Sequence, residues 1–236
     1  MKFKVASVIV IPNKGSTIPQ IFGFEINSHD KCPVCGQRLQ SIALIAQGRE
    51  TAPAKWPWHA ALFYQQSFNL AYKCGATIIR NNAVLTAAHC VTNGEENLSE
   101  NIMKIRIEQA ELLSSSSHQF NVFKSNVHEN YNHQSFENDI ALLMLETKIE
   151  FTTRVQAICL PQIKLPNQGF ATVVGFGSTD KSTQHSNVLR EVTIPIVGHE
   201  VCLESDLDFF SQHLFETNFC AGQVGVQQGV CQGDSG

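Results

Sequence analysis

The chain has 236 residues, 43% of them hydrophobic and 16% charged, with a formal net charge of −4. That length can bury a sizeable core in one β-rich domain. The absence of a basic run argues against nucleic acid as a partner, and no stretch of about 18 apolar residues is present to span a membrane. Eight cysteines, spread along the chain rather than grouped in repeated CxxC pairs, predict disulfides and an oxidising compartment, and therefore secretion.

Residues 1–31 mix Pro12, Gly15, Pro19 and Gly23 with short apolar pieces of no sustained period, which predicts a linker or the remnant of an upstream module. Lys2 and Lys4 followed by Val5 to Ile11 loosely imitate a signal peptide, but no small-residue cleavage site follows; the alternative is that secretion information lies upstream of this start. Cys32-Pro33-Val34-Cys35-Gly36 has CxxC spacing. A structural zinc site would need a second close pair and a redox motif a βαβ setting, and the chain supplies neither, so two independent disulfide partners are expected.

Beyond Ile45 the texture is of short Val/Ile/Phe/Thr-rich pieces between Gly, Asn, Ser or Pro turns: Ala60 to Tyr64, Ala76 to Ile79, Val84 to Ala87, Lys104 to Ile107, Phe120 to Val127, Ile140 to Leu145, Ala171 to Val174 and Val188 to Val197. This is the pattern of an all-β barrel or sandwich. Val201 to Phe210 alone is predicted to hold a helical turn or two. Ser114 to Ser117 is expected to be a polar loop, and Asn97-Leu98-Ser99 is an N-glycosylation triplet expected in another.

Three short stretches carry chemistry. Gly229-Val230-Cys231-Gln232-Gly233-Asp234-Ser235-Gly236 has the composition of an activated-nucleophile turn, weak alone because small polar turns are common. Thr86-Ala87-Ala88-His89-Cys90 supplies a base and Asn138-Asp139-Ile140-Ala141-Leu142-Leu143 an acid. Acyl transfer needs a hydroxyl nucleophile, a base and a third group that orients the base, so Ser235, His89 and Asp139 can fill the three roles. Asp139 leads directly into an apolar strand that would carry it inward, and a buried acid wants a partner.

These residues, in the order His, Asp, Ser, resemble the chymotrypsin/trypsin family of serine endopeptidases over residues 45–236. Trp56 to Leu62 resembles the family's first barrel strand and Cys74 to Ile79 the next. Ala157 to Pro161 resembles the inter-barrel connection, and Val174 to Gly177 the turn that opens the second barrel. The resemblance implies an all-β fold of two six-stranded antiparallel barrels. It implies catalytic His89, Asp139 and Ser235, and an oxyanion hole from the N–H groups of Gly233 and Ser235. It implies disulfides Cys74 with Cys90, Cys202 with Cys220, and Cys35 with Cys159, the last tethering residues 32–44 as an activation segment. Cys32 and Cys231 are left without partners in this stretch of chain. No metal or cofactor is implied.

The same resemblance implies a zymogen cut after Leu44, with the freed Ile45 ammonium pairing with Asp234. Gly229, at the base of the specificity pocket, leaves no charge there, which favours Leu or another apolar residue in the substrate and predicts that the enzyme can cleave its own Leu44 bond. The Cys-Pro-Val-Cys-Gly segment, Leu44 and the nucleophile turn look most like insect modular serine proteases that head Toll and melanisation cascades, with a downstream protease zymogen as substrate and serpin-type inhibitors as partners. The chain stops one residue after Ser235, so the second barrel is expected to be incomplete and this polypeptide inactive. The competing readings are a digestive chymotrypsin- or elastase-like enzyme, and an inactive homologue acting as a binding module.

Overall fold

The computed structural model describes residues 35–37, 49–50, 55–108, 111–112, 118–160, 168–178 and 185–222. Six antiparallel strands close into a barrel: β2 (His59–Gln66), β3 (Asn69–Arg80), β4 (Ala83–Thr86), β9 (Ala141–Leu145), β8 (His118–Val127) and β7 (Met103–Ile107), with β7 pairing back onto β2. Two short arms, β5 (Thr92–Asn93) and β6 (Glu96–Asn97), form a separate hairpin. A second sheet runs β1 (Arg49–Glu50), β11 (Arg190–Val197), β10 (Gly169–Gly175), with β12 (Cys220–Ala221) also on β11. The fold is thus mostly β, with one barrel closed within the described residues and a four-stranded sheet in which β1 joins three strands from the second half of the chain.

Period-two patterning drives the closure. In β7, Met103, Ile105 and Ile107 are buried while Lys104 and Arg106 between them are not, and Ala141, Leu143 and Leu145 repeat the pattern in β9. These residues, with Leu62, Ile78, Val84 and Val122, fill the barrel. Strand β4 departs from the alternation, being buried throughout. Its Val84 faces the barrel interior, while Ala83 and Leu85 on the other side lie under Leu160 in a separate cluster. That cover is a strap, residues 155–160, whose backbone crosses the barrel exterior: Ile158 N–H donates to the Ile78 carbonyl (2.9 Å) and Gln156 N–H to that of Pro57 (2.9 Å). Cys35 is bonded to Cys159 of this strap, and Gly36 N–H donates to the Ala157 carbonyl at 3.0 Å. Gly36 has φ +68°, and a Cβ there would stand 3.1 Å from the Cys159 sulfur, so both conformation and space call for glycine.

The outer face of β2 joins the two halves. Ala61 and Phe63 pack with Phe176, Leu189 and Leu112, all buried. Beside them Glu191 of β11, its side chain 10% exposed, accepts from Lys55 Nζ (2.5 Å) and Trp56 Nε1 (2.8 Å). The Trp56 to Leu62 segment therefore divides: the first barrel strand starts only at His59, because Pro57 has no N–H for a ladder and His59 N–H turns back to the Trp56 carbonyl (2.9 Å). The helix expected over Val201 to Phe210 is two helices, α1 (His199–Ser205) and α2 (Leu207–His213), divided at Asp206. Asp206 has φ −160°, and its carboxylate caps α2 by accepting from Phe209 N–H (3.1 Å), a role short acids fill better than a helix interior. Cys202 of α1 is bonded to Cys220 of β12 around buried Phe210.

His59 lies at the junction of the halves, its ring edge-on to Phe176 at 5.7 Å. The residue is half-buried overall, but its Nε2 is sealed from solvent and has no hydrogen-bond partner among the described residues. Burial pushes the imidazole from 6.5 down to about 4. A depressed folded-state value means that the contribution to stability is complete above pH 6.5, falls as the pH drops towards 4, and levels off below. The difference corresponds to about 3 kcal/mol, to order of magnitude. Urea unfolding across this range should give a shallower acid loss for His59→Leu than for the wild type, and parallel curves would show that His59 is not the responsible group.

Candidate active site

The site is assembled by strand register. Strands β4 and β9 are antiparallel with Thr86 opposite Ala141, so the chain leaving β4 and the chain entering β9 emerge at the same end of the barrel. His89 comes three residues after one end and Asp139 two residues before the other, which brings together groups 50 positions apart. Thr86 is buried, and its hydroxyl donates to the Gly75 carbonyl at 2.9 Å.

The His89 backbone is held firmly. It lies in a 3-10 turn over Ala88–Cys90, and Cys90 is bonded to Cys74 of β3, Cα to Cα 6.2 Å. The Thr92 hydroxyl donates to the Ala88 carbonyl (3.1 Å), and the Tyr64 hydroxyl donates to the Cys90 carbonyl. Burial pushes the Tyr64 phenol up to about 12, which keeps it a donor.

Asp139 grips His89 at two points. One carboxylate oxygen accepts the His89 backbone N–H (2.9 Å) and the other meets Nδ1 at 2.7 Å. The Asp139 side chain is 3% exposed and that of His89 30%. A carboxylate that accepts here takes its hydrogen bond from the Nδ1 proton, and the other ring nitrogen, Nε2, lies 3.5 Å from Cys90 Sγ. The arrangement is that of a base whose tautomer is chosen by a buried acid. Burial first, and then the charge of Asp139, raise the phenol of nearby Tyr131, against a lowering hydrogen bond with Thr92.

The loop before Asp139 is built by Asn132. Its side-chain oxygen accepts from Gln134 N–H (2.9 Å) and Ser135 N–H (3.1 Å), and its carbonyl accepts from Phe136 N–H (2.8 Å). The turn forces Phe136 to φ 59° and Asn138 to φ 55°. For a phenylalanine that region is strained, by about 1–3 kcal/mol, and the result is a residue 45% exposed whose ring stands edge-on to His89 at 5.8 Å. His213 continues the row, 6.5 Å from Phe136 and stacked on Phe209 at 4.2 Å. Motif reading did not find Tyr131, Phe136, Phe209 or His213. The one local sign was an aromatic residue inside the polar run His133-Gln134-Ser135-Phe136-Glu137-Asn138.

Cys74, His89 and Cys90 offer donor atoms within 4.8 Å of one another. The two sulfurs are joined in a disulfide and His89 Nδ1 is engaged by Asp139, so the set has no thiolate to hold a metal. Of the other expected site residues, Cys35 is bonded to Cys159 and Cys202 to Cys220. Leu44, Ile45, Gly229, Gly233, Asp234 and Ser235, with Cys32 and Cys231, lie outside the described residues. None of the described helices is long and apolar enough to cross a membrane.

Comparison with known proteins agrees with this geometry. Residues 45–236 match the family model described as Trypsin. The chain is 34% identical over 216 residues to the proclotting enzyme of Tachypleus tridentatus, covering 86% of this chain and 56% of that protein. It is 33% identical over 210 residues to the clotting factor G beta subunit of the same animal, covering 86% and 67%. To the venom serine protease Bi-VSP of Bombus ignitus it is 32% identical over 217 residues, covering 86% and 59%. The chain thus spans between 56% and 67% of the length of these relatives. A closed antiparallel barrel presenting a buried acid to a histidine, together with a family match from Ile45 to Gly236, establishes that the chain belongs to the trypsin family of serine endopeptidases.

Proposed function

We propose that this chain carries the catalytic domain of a secreted serine endopeptidase zymogen that acts on protein substrates in an extracellular proteolytic cascade. The observation that carries the reading is the two-point contact of Asp139 with His89. In the reaction, Ser235 Oγ attacks the scissile carbonyl while His89 Nε2 takes its proton. Asp139 steadies the imidazolium, and the N–H groups of Gly233 and Ser235 stabilise the oxyanion. The imidazolium then returns the proton to the leaving amine as the C–N bond breaks. Water repeats the sequence on the acyl-enzyme, releasing the acid and regenerating Ser235.

Gly229 at the pocket base favours an apolar side chain such as Leu, because an unpaired cation buried there would find no counter-charge. Cleavage after Leu44 frees the Ile45 ammonium to pair with Asp234, and an enzyme that prefers Leu can make this cut itself. The names of two relatives, a proclotting enzyme and a clotting factor subunit, support a place in a cascade. The further reading is initiation of a Toll or melanisation type pathway, with a downstream protease zymogen as substrate and serpin-type proteins as inhibitors. The Cys35–Cys159 bridge, which would keep an upstream chain attached after activation, favours this over a digestive enzyme.

Three measurements test the proposal on the full-length protein. Asp139→Asn presents an amide to Nδ1 and leaves the wrong tautomer, so kcat on a Leu-containing peptide should fall on the order of 10⁴-fold, as in the template enzymes of this kind; a loss under about tenfold rules out the assigned role, whereas an inactive homologue would show no activity to lose. Concentrated wild-type zymogen should generate a chain beginning at Ile45, and Ser235→Ala should not. Equal processing of the two removes self-activation. Faster cleavage after Arg than after Leu by the activated enzyme removes the apolar-pocket reading.

A further inference from the structure

The sequence contains a single Asn-x-Ser/Thr triplet, Asn97-Leu98-Ser99, and the proposed chemistry does not use it. In the fold Asn97 ends the second arm of the β5–β6 hairpin rather than standing in a loop, directly across from Thr92, three residues beyond His89, and Leu98 and Ser99 follow the arm. The middle residue is the anchor. Leu98 is half-buried and packs against the barrel core, and its N–H donates to the Val91 carbonyl at 2.9 Å. With Leu98 held inward, Asn97 and Ser99 on either side are both exposed. Glycan attachment meets the chain while it is folding, so the folded state must be able to leave the modified amide in solvent. Asn97 does so without displacing a core residue. The three disulfides indicate the oxidising compartment in which such attachment takes place.

We propose that Asn97 is an N-glycosylation site, a proposal that rests on the reading of the chain as secreted. The Asn97 Nδ2 attacks the anomeric carbon of a polyprenyl-diphosphate-linked oligosaccharide. The N–C bond forms, the C–O bond to the diphosphate breaks, the polyprenyl diphosphate leaves with the electron pair, and one amide proton is lost to solvent. The sugar then stands on the rim of an open cleft of about 560 Å³ that Asn97 lines with Thr92, His128, Tyr131 and His133. It places a bulky hydrated group beside the turn that carries His89.

The full-length protein is expressed in insect cells behind a cleavable secretion signal, so that export does not depend on its own leader, and an unfused form is fractionated separately to test native secretion. Treatment of the secreted, disulfide-bonded protein with peptide N-glycosidase should lower its apparent mass in one step and convert Asn97 to Asp in the peptide spanning the hairpin. Asn97→Gln and Ser99→Ala should lose the shift, and Ser99→Thr should keep it. Because the readout needs no proteolysis, Ser235→Ala should be modified like the wild type, which separates this proposal from the catalytic one. A secreted wild-type protein with unmodified Asn97, or a shift that survives in Asn97→Gln, overturns it.

Discussion

The pairing of Thr86 with Ala141 across β4 and β9 is the constraint on which the site depends. It is enforced by the core rather than by the site. Ala141, Leu143 and Leu145 point into the barrel and Leu142 and Met144 pack outside it. A one-residue slip would exchange these faces and turn the apolar set outward. The same slip would move Asp139 away from His89. Hydrophobic patterning along one strand therefore sets the distance between two polar groups that share no local sequence. The buried carboxylate closes the arrangement: at 3% side-chain exposure Asp139 needs compensation for lost water, and the His89 backbone N–H and ring nitrogen supply it. The contact that orients His89 is also what makes burying the acid tolerable.

A second requirement is that the halves of the molecule stay in register, because His89 and Asp139 belong to the closed barrel while the nucleophile proposed from the sequence belongs to the later half of the chain. Three kinds of interaction share this task. Apolar packing of Ala61 and Phe63 on Phe176 and Leu189 buries the outer face of β2. The hydrogen bonds of Lys55 and Trp56 to Glu191 give that packing a direction. The strap of residues 155–160, bonded through Cys159 to Cys35, runs across the barrel exterior and carries the chain from one half to the other. Apolar burial supplies most of the adhesion, about 1.5–3 kcal/mol for each fully buried large side chain, and the polar contacts select one orientation.

The loop of residues 132–138 shows local strain maintained by its surroundings. Phe136 in the left-handed region would relax in an isolated peptide. Here the Asn132 side chain and carbonyl fix the turn, and the Phe136 ring gains contact with His89. Its row with His213 and Phe209 extends a line of ring contacts from His89 to α2.

Much of this was legible in the sequence. Alternating apolar residues and turn signals marked most barrel strands, since a half-buried strand imposes period two on its own residues. Two short motifs marked His89 and Asp139, and Asp139 before an apolar run already called for a buried partner. What the sequence could not decide were the relations between distant residues. Strand β3 runs on through Asn69 and Lys73 because its backbone ladder with β2 persists beyond the apolar stretch. Strand β4 is buried on both faces because the strap, some 70 residues on, covers it. Glu191 finds Trp56 across 135 positions, and Phe136 reaches His89 only through a turn that a phenylalanine does not favour. Side-chain pattern is a local property and can be read along the chain. Barrel closure, register and the contacts they create depend on which segments meet, and only the tertiary structure decides that.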